Sequence, residues 1–313
     1  MSKRAEENRA APILITMGDP AGIGPEIAAR AWHSFGGAIG RRRLMFVGDH
    51  AAFHAHGNFP DDAFWPGADR SPRESVAGAV IGAIETAVAA ALSGHASAVV
   101  TAPIHKARLL DAGFSFAGHT EFLAELTHAS RAVMMLAGGG LRVIPLTIHI
   151  PLREVPARIS QQAIVETAEI ILASLANDFG LKQPRLAVAG LNPHAGESGK
   201  LGREETEFIT PAVENLRGRG HVVLGPLPGD TMFHEAARAQ YDAALCMYHD
   251  QALIPLKTLA FWEGVNVTLG LPIVRTSPDH GTAFDIAGRG EADPRSMIAA
   301  VRLAAEMADA RNL

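Results

Sequence analysis

The stretch AALCMYHDQALIPLK, residues 243–257, places an apolar run directly before a group of polar side chains. The run predicts a strand over residues 243–249 that is buried on both faces, as strands of parallel sheets are. His249, Asp250 and Gln251 then arrive together, and Lys257 closes the stretch. We interpret the segment as a core strand that ends in a polar loop. Ligands bind outside such strand ends in open parallel sheets.

The same alternation of apolar runs and helical segments extends along the whole chain. Strands are predicted over residues 13–17, 43–48, 97–103, 142–150, 185–193, 221–228 and 243–249. Helices are predicted over residues 25–35, 71–93, 159–179, 204–217 and 296–308. Alternation of this kind predicts an α/β protein with a mostly parallel sheet.

Composition narrows the class of protein. The net charge of −5 and the lack of a long basic run disfavour nucleic acid as a partner. The single cysteine, Cys246, excludes an intrachain disulfide and indicates a reducing compartment. No apolar run reaches the roughly 20 residues of a membrane span, and the first residues lack the apolar core of a signal peptide. We therefore expect a cytoplasmic protein without a membrane partner.

Three histidines each end a predicted strand. His149, His194 and His249 lie 45 and 55 residues apart. Imidazole is the commonest side-chain metal ligand, and three of them with an open coordination position form a catalytic metal site. Asp250 is a candidate to orient an imidazole from behind. The alternative is that each histidine forms hydrogen bonds only within its own loop.

Two glycine-containing motifs do not match known phosphate loops. GDPAGIGPEI, residues 18–27, follows a strand, but Ile27 stands where the dinucleotide fingerprint needs a third glycine. Its glycines are interpreted as shaping a tight turn beside Asp19. HAGESGKLG, residues 194–202, lacks the upstream glycine and the Ser/Thr of a P-loop. No GxSxG elbow occurs, so a serine nucleophile is poorly supported.

The last third of the chain carries candidate anion contacts. Lys257, Asn266 and Arg275 are spaced nine residues apart and offer positive charge and N–H donors to phosphate or carboxylate. The loop over residues 277–294 is rich in glycine, histidine and aspartate. Its backbone N–H groups are candidates to hold phosphates, and Asp285 to accept hydrogen bonds from ribose hydroxyls. An ordinary connecting loop is the alternative.

Eight motifs together resemble one enzyme family. TMGDPAGIGPEI, TAPIHK, GHTEF, LNPHAGE, GPLPGDT, MYHDQ, GVNVTLGLP and RTSPDHGTAFDIAGRG are similar, in order, to those of 4-hydroxythreonine-4-phosphate dehydrogenases. HGTAFDIAG also resembles the cofactor loop of isocitrate and isopropylmalate dehydrogenases. The resemblance implies their two-domain fold rather than a Rossmann domain. It implies two α/β domains interleaved in sequence, with the active site in the cleft between them and at a dimer interface.

The resemblance also implies cofactors and site residues. The enzyme is expected to be a homodimer that uses NAD, or NADP, and one divalent metal per subunit, which is zinc, cobalt, nickel or magnesium. The implied metal ligands are His149, His194 and His249. The implied substrate contacts are His119, Thr120, Lys257, Asn266 and Arg275, and the implied cofactor loop includes Gly281 and Asp285. His149 and His194 are expected from one subunit, and His249, Lys257, Asn266 and Arg275 from the other.

The implied reaction is the oxidation and decarboxylation of 4-phosphooxy-L-threonine to 3-amino-2-oxopropyl phosphate, a step of pyridoxal 5'-phosphate biosynthesis. Lys257 and Asp250 are the candidates to accept the hydroxyl proton. One departure from the family is His105, which stands where the motif TAPINK has asparagine. That replacement leaves the contacts of its loop open.

Other functions remain compatible with the same residues. A related substrate is one alternative, either threonate or erythronate 4-phosphate or an aromatic cis-dihydrodiol. The three anion contacts favour a phosphorylated acid over a dihydrodiol. A metal-dependent hydrolase or phosphatase would use the histidines but leave the HGTAFDIAG loop without a role. A non-catalytic protein that binds a metal or a metabolite is the third alternative.

Overall fold

A computed structural model describes residues 10–68, 75–116 and 118–313. The chain divides into two compact units. The first unit comprises Met1–Ala132 and Val265–Leu313, and the second unit comprises Val133–Gly264. The chain therefore leaves the first unit once and returns to it for its last segment.

The strands and helices follow one another along the whole described chain. The strands are β1 (Ile13–Thr16), β2 (Ala38–Ile39), β3 (Arg42–Val47), β4 (Ala98–Thr101), β5 (Val133–Gly138), β6 (Leu141–Thr147), β7 (Arg185–Ala189), β8 (Val222–Leu227), β9 (Ala243–Tyr248), β10 (Val265–Leu269) and β11 (Arg275–Pro278). The α-helices are α1 (Gly24–Ser34), α2 (His50–His54), α3 (Val76–Leu92), α4 (Lys106–Asp111), α5 (His119–Leu126), α6 (Val155–Arg158), α7 (Gln161–Phe179), α8 (Thr210–Gly218), α9 (Glu235–Arg238), α10 (His249–Ala260) and α11 (Arg295–Ala310). Short 3₁₀ turns cover Asp61–Ala63 and Leu152–Glu154, and a π-helical turn covers Glu205–Ile209.

The sheet of the first unit has the strand order β2-β3-β1-β4-β11-β10. β1 lies parallel to β3 and β4, and β11 lies parallel to β4. β2 is antiparallel to β3, and β10 is antiparallel to β11. All four residues of β1 are buried, because an apolar strand in the middle of a sheet is covered on both faces.

The sheet of the second unit has the order β5-β6-β9-β7-β8. β6, β9, β7 and β8 are parallel, and β5 is antiparallel to β6. In the register Thr147 lies opposite Tyr248, and Ala187 lies opposite Ala244. Buried side chains that include Leu136, Val143 and Cys246 of this sheet form a hydrophobic core cluster. The predicted α/β class with mostly parallel strands is confirmed.

The predicted polar loop after β9 is wrong. The strand ends at Tyr248, and α10 begins at once with His249. Ala252, Leu256 and Ala260 are buried at a spacing of four residues, so one face of α10 packs against the rest of the second unit. The three polar residues at the start of the helix, and Pro255 inside it, hid this periodicity in the sequence.

Other differences concern strands that were not predicted and the starts of two helices. β2, β5, β10 and β11 were not predicted, and β11 in particular has the polar sequence RTSP although all four residues are buried. The helix predicted over 204–217 begins as a π-helical turn, because Pro211 has no N–H with which to continue an α-helical pattern. The helix predicted over 71–93 is seen from Val76, and residues 71–74 lie outside the described residues.

No helix in the described ranges combines the length and the apolar composition that crossing a bilayer requires.

Candidate active site

The three candidate metal ligands follow neighbouring strands of the second unit. β6, β9 and β7 are adjacent and parallel, so their carboxyl ends meet at one edge of the sheet. His149 comes two residues after β6, His249 follows β9 directly, and His194 comes five residues after β7. The topology of this unit therefore collects three strand ends that are far apart in the sequence.

Two of the histidine rings lie close together. The ring centroids of His149 and His249 are 5.7 Å apart, and their planes are inclined by 42°. Both rings line a hollow of about 260 Å³. His194 lines an adjoining hollow, and Tyr248 and Asp250 line both. The chain thus pairs two of the histidines and holds the third nearby.

The chemistry of this edge suits a divalent metal. His249 Nδ1 lies 2.7 Å from Asp250 Oδ1, a contact that orients the ring and leaves Nε2 available to a ligand. Imidazole donors favour zinc, cobalt or nickel over magnesium. Within the described residues, no three His, Cys, Asp or Glu side chains form a complete metal-binding group. The described residues of one chain therefore bring two imidazoles together without completing a set of metal ligands.

Left-handed backbone carries two of these histidines. φ is +51° at His149 and +52° at His194, a region that residues other than glycine rarely adopt. His194 begins a run of positive φ that continues through Gly199, with Gly196 also inside it. Each of the four other residues in this run costs about 1–2 kcal/mol in a left-handed turn. Such strain persists only where surrounding contacts hold it, and it clusters at functional sites.

Two polar side chains tie the three strand ends together. Thr147 Oγ1 donates to the carbonyl oxygen of Met247 at 2.8 Å, which joins the end of β6 to β9. Gln251, in the first turn of α10, accepts from the N–H of Met247 at 2.7 Å. Its Nε2 donates to the carbonyl oxygen of Gly190 at 2.8 Å, which joins β9 to the end of β7. The relative positions of the histidine-bearing segments are therefore set by direct hydrogen bonds.

A buried guanidinium is the main feature of the first unit. Arg275, in β11, is 2% exposed. Nε and Nη2 donate to Thr101 Oγ1 at 3.2 and 2.6 Å, and Nη1 donates to Thr268 Oγ1 at 2.8 Å. Among the residues that the structure describes, no carboxylate forms an ion pair with Arg275. Burial lowers the pKa of this group to about 9, so it remains a cation at neutral pH.

Neutral partners leave the charge of Arg275 available. Three of the five guanidinium N–H donors are used by the two threonines, and one donor remains on each terminal nitrogen. A buried charge without a counter-ion is costly, so such a group is expected to meet an anion in its working state. The pair of remaining donors matches the bidentate recognition of phosphate or carboxylate.

Two further polar groups belong to the same unit and point to the same site. Burial and the positive charge of Arg275 lower the pKa of His119 well below its ordinary value, so the ring is neutral near pH 7. His119 Nε2 and Asn266 Oδ1 are buried and have no hydrogen-bond partner among the described residues. Asn266 shares a face of β10 with Thr268, because alternate residues of a strand point the same way.

The other two predicted substrate residues lie on helices. Lys257 lies in α10 of the second unit, with Nζ 5.5 Å from the ring centroid of Phe261. Thr120 follows His119 in the first turn of α5 and is half-buried. Their roles toward a substrate stay predictions.

The predicted cofactor loop lies between β11 and α11. Gly281 and Asp285 are both exposed there. Phe284, 40% exposed, meets the ring of His105 edge-on at 4.9 Å and lies under the guanidinium of Arg108 at 5.7 Å. The histidine that departs from the family motif therefore contacts this loop. Cofactor binding by Gly281 and Asp285 stays a prediction.

The glycines of residues 18–24 serve close packing. A Cβ on Gly22 would lie 2.8 Å from the carbonyl oxygen of Thr282, and Gly18 has φ +67°. The buried carboxylate of Asp19 accepts from Arg108 Nη1 at 2.7 and 2.9 Å. The interpretation of this motif as a tight turn is in agreement with these contacts.

Several residues that shape the site were given no role from the sequence. Thr101 and Thr268 hold Arg275, and Gln251, one of the three polar residues after β9, bridges two strand ends. Glu205 is buried beside the turn that carries His194 and was not considered. For Thr101 the only available signal was its position at the end of a strand.

The fold resembles that of isocitrate dehydrogenase. The structure of isocitrate dehydrogenase from Methylococcus capsulatus aligns with a TM-score of 0.50 and 14% identity, covering 96% of this chain and 88% of that chain. At this identity the likeness extends to the fold alone. The predicted fold class is thereby confirmed.

The chain belongs to the PdxA family of pyridoxal phosphate biosynthetic proteins, whose family model matches residues 62–304. The 4-hydroxythreonine-4-phosphate dehydrogenase of Caulobacter vibrioides is 50% identical over 96% of this chain and 99% of that protein. The crystal structure of the enzyme of that name from Klebsiella pneumoniae aligns with a TM-score of 0.82 and 37% identity, covering 96% of this chain and all of that one. The predicted family is confirmed, and it is a family of dehydrogenases.

A dehydrogenase with a different substrate shares the scaffold. The structure of a terephthalate 1,2-cis-dihydrodiol dehydrogenase from Burkholderia xenovorans LB400 aligns with a TM-score of 0.66 and 28% identity, covering 95% of this chain and 98% of that one. The scaffold by itself therefore does not name the substrate.

Replacing Thr101 by valine tests whether the threonine hydroxyls stabilise the buried guanidinium of Arg275. Valine keeps the shape but removes the oxygen that accepts two guanidinium N–H groups. We expect the free energy of unfolding, measured in urea, to fall by about 1–3 kcal/mol because buried donors lose their partner. Thr101→Ser keeps the hydroxyl and should lose much less. Equal stability of the valine and serine variants would contradict the assignment.

The lowered pKa of His119 predicts a dependence of stability on pH. The unfolded state takes up a proton near the ordinary value of 6.5, while the folded state resists protonation. The stabilisation is therefore complete above pH 6.5 and declines as the pH falls, by at most about 1.4 kcal/mol per pH unit. The unfolding free energy of the wild type, relative to that of His119→Gln, should decrease from pH 7 to pH 5. A constant difference between the two proteins over this range would refute the prediction.

Proposed function

We propose that the chain catalyses the oxidation and decarboxylation of 4-phosphooxy-L-threonine to 3-amino-2-oxopropyl phosphate, with NAD as oxidant and a divalent metal as cofactor. Membership of the PdxA family supports the pathway. The single structural observation that carries the substrate class is the buried guanidinium of Arg275, which has neutral partners and two remaining donors. A substrate with a phosphate and a carboxylate supplies the anion that this charge lacks.

The first unit supplies the groups that would bind the anionic substrate. Arg275 donates a bidentate pair to one anionic group. Neutral His119 adds a hydrogen bond through Nε2, and Asn266 Oδ1 can accept one from a hydroxyl or amino group of the substrate. Thr120 of the same unit belongs to the proposed set, and Lys257, from α10 of the second unit, contributes a second positive charge. Neutral His119 matters here, because an imidazolium would add a second buried cation beside Arg275.

The second unit carries the groups that would hold the metal, with His149 and His194 of one chain meeting His249 of the other in the proposed dimer. His149, His194 and His249 are the proposed ligands, and Asp250 keeps His249 in the orientation that exposes Nε2. A metal bound there would supply polarisation of the substrate hydroxyl, and NAD would supply the hydride acceptor. The loop with Gly281 and Asp285 is the proposed contact surface for the dinucleotide.

Side chains of the protein would accept the proton of the substrate hydroxyl. Lys257 and Asp250 are the two candidates to accept the hydroxyl proton as the hydride leaves C3. The product of that step is a 3-keto acid, which loses its carboxylate as CO2. The carbon that remains takes up one proton, so atoms and charge balance. Arg275 retains the phosphorylated product through these steps if it binds the phosphate.

The exposed face of α10 supports a homodimer with a shared site. Ile254 and Phe261 are 64% and 61% exposed, and they are separated by seven residues, which puts them on one helix face. Asp250 and Lys257 fall on the same face by helical spacing. Large apolar side chains on an exposed face mark interaction surfaces. We propose that a second copy of the chain covers this face and receives His249 and Lys257.

A related substrate is the second candidate function. The dihydrodiol dehydrogenase of B. xenovorans shares the scaffold at 28% identity, whereas the hydroxythreonine phosphate dehydrogenase of C. vibrioides is 50% identical. The higher identity favours 4-phosphooxy-L-threonine. Arg275 favours an anionic substrate of any kind, so threonate and erythronate 4-phosphate stay as alternatives. A hydrolase would be distinguished by turnover that needs no NAD.

An NADH-formation assay tests the proposed reaction. The wild type should reduce NAD with 4-phosphooxy-L-threonine and do so much more slowly with threonate 4-phosphate, erythronate 4-phosphate or a cis-dihydrodiol. Treatment with a chelator should abolish the activity, and addition of cobalt or zinc should restore it. His249→Ala should remain inactive after metal addition while keeping the circular dichroism spectrum of the wild type.

Two results of this assay would contradict the proposal. Preferred turnover of another substrate would replace the assigned one. Full activity of His249→Ala in metal-replete buffer would remove His249 from the metal site. His95 is an exposed histidine of the first unit, and His95→Ala is the matched control, which should behave as the wild type.

Mixing two inactive variants tests the shared site. His194→Ala and His249→Ala should each be inactive alone. After subunit exchange, a heterodimer contains one intact site if His249 comes from the opposite subunit, so activity should recover to about a quarter of the wild-type level. If all three ligands came from one chain, no site would be intact. Absence of recovery after demonstrated subunit exchange would therefore refute the composite arrangement.

A further inference from the structure

A buried carboxylate lies behind the turn that carries His194. Glu205 is 2% exposed. Its Oε1 accepts from the backbone N–H groups of Leu191 and Asn192 at 2.8 and 2.7 Å, and its Oε2 accepts from Asn192 Nδ2 at 2.9 Å. Glu204 accepts from the same amide at 2.7 Å. The segment that leads into the turn is thus held by the carboxylate through three N–H groups.

The turn itself packs directly on this carboxylate. A Cβ on Gly196 would lie 2.5 Å from Glu205 Oε2, so only glycine fits at that place. A Cβ on Gly190 would lie 3.0 Å from Ala195 Cα and 3.2 Å from Glu205 Oε1. The end of β7, the left-handed turn and Glu205 therefore form one close-packed arrangement without room for a side chain between them.

These contacts explain how a disfavoured backbone is maintained. The run of positive φ begins at His194, two residues after Asn192, the second backbone donor to Glu205. The segment before the run is fixed by that carboxylate, and Gly196 inside the run rests against it. Without the carboxylate, the residues of the run would be free to return to ordinary right-handed or extended backbone. The imidazole of His194 would then change its direction.

We infer that Glu205 is a positioning residue that fixes the direction of the His194 imidazole for metal binding. The inference rests on the proposed metal-binding role of His194. Glu205 acts through the backbone of residues 191–196 and has no contact with the substrate in this role. A carboxylate is required because both of its oxygens accept hydrogen bonds. In glutamine, the amide nitrogen that replaces Oε2 would direct its N–H groups at the side-chain N–H groups of Asn192.

Cobalt binding tests the inference without reference to turnover. The metal-free protein is titrated with Co²⁺ alone, and visible absorption reports its coordination. Glu205→Ala should raise the dissociation constant about 10–100-fold, as expected when a group behind a ligand is removed. Glu205→Gln keeps one acceptor oxygen for the two backbone N–H groups and should show a smaller loss. His194→Ala sets the loss that follows when the ligand itself is removed.

Hydrogen exchange of the backbone amides of Leu191 and Asn192 tests the tether separately. Both amides should exchange faster in Glu205→Ala than in the wild type, and Glu205→Gln should be intermediate. Glu207→Ala is the matched control, since Glu207 lies two residues away, is 44% exposed in its side chain and pairs with Arg203. It should leave both exchange and cobalt binding unchanged. If Glu205→Ala does not fold, the glutamine variant carries the test.

The outcomes separate the inference from the proposed function. The positioning role alone would be overturned if a folded Glu205→Ala variant kept the cobalt affinity and spectrum of the wild type while His194→Ala clearly lost affinity. If Glu205→Ala does not fold, the same comparison is made with Glu205→Gln. Wild-type cobalt binding in His194→Ala would overturn the metal role of His194 and, with it, the inference. Unchanged exchange at Leu191 and Asn192 in the Glu205 variants would refute the tether itself.

Discussion

Parallel pairing of β6, β9 and β7 is the constraint on which the second unit depends. It forces three strand ends to one edge of a sheet, and each of those ends leads into a histidine. The hydrogen bonds of Thr147 and Gln251 then lock the neighbouring ends against one another. Because the backbone beyond β6 and β7 is left-handed at His149 and His194, the sheet edge must hold strained backbone as well as polar side chains. A rigid sheet is a suitable support for such strain.

In the first unit, the guanidinium of Arg275 is buried and yet keeps a positive charge that can attract an anion. Threonine hydroxyls satisfy three N–H groups of Arg275 without cancelling its charge. A carboxylate in the same place would have formed a stronger pair and removed the attraction for an anion. Burial, and to a lesser extent this cation, lowers the pKa of neighbouring His119 and keeps its ring neutral. The cost of the uncompensated charge is offset by the large apolar core around β1, β4 and β11, whose residues are almost all buried.

Sequence analysis was most successful where residue type and position agree. Apolar runs predicted β1, β3 and β9 to within one residue at each end, because strands in the middle of a parallel sheet are covered on both faces. It failed for β11, whose sequence RTSP is buried only because α11 and the adjacent strands cover it. It also failed for α10, which was taken for a loop because three polar residues open the helix. The three histidines and Arg275 were singled out from the sequence as candidates, and their roles stay predictions.

The sequence by itself determined the α/β class, the family and the residues with distinctive chemistry, since apolar periodicity and ordered motifs are local properties. Tertiary structure alone decided which groups meet. The pairing of His149 with His249, the threonine partners of Arg275 and the tether of Glu205 to Leu191 and Asn192 join residues that are distant in sequence or ordinary in type. The physical reason is that burial and hydrogen-bond partners depend on strand order and register. Neither is recorded in any one segment of the chain.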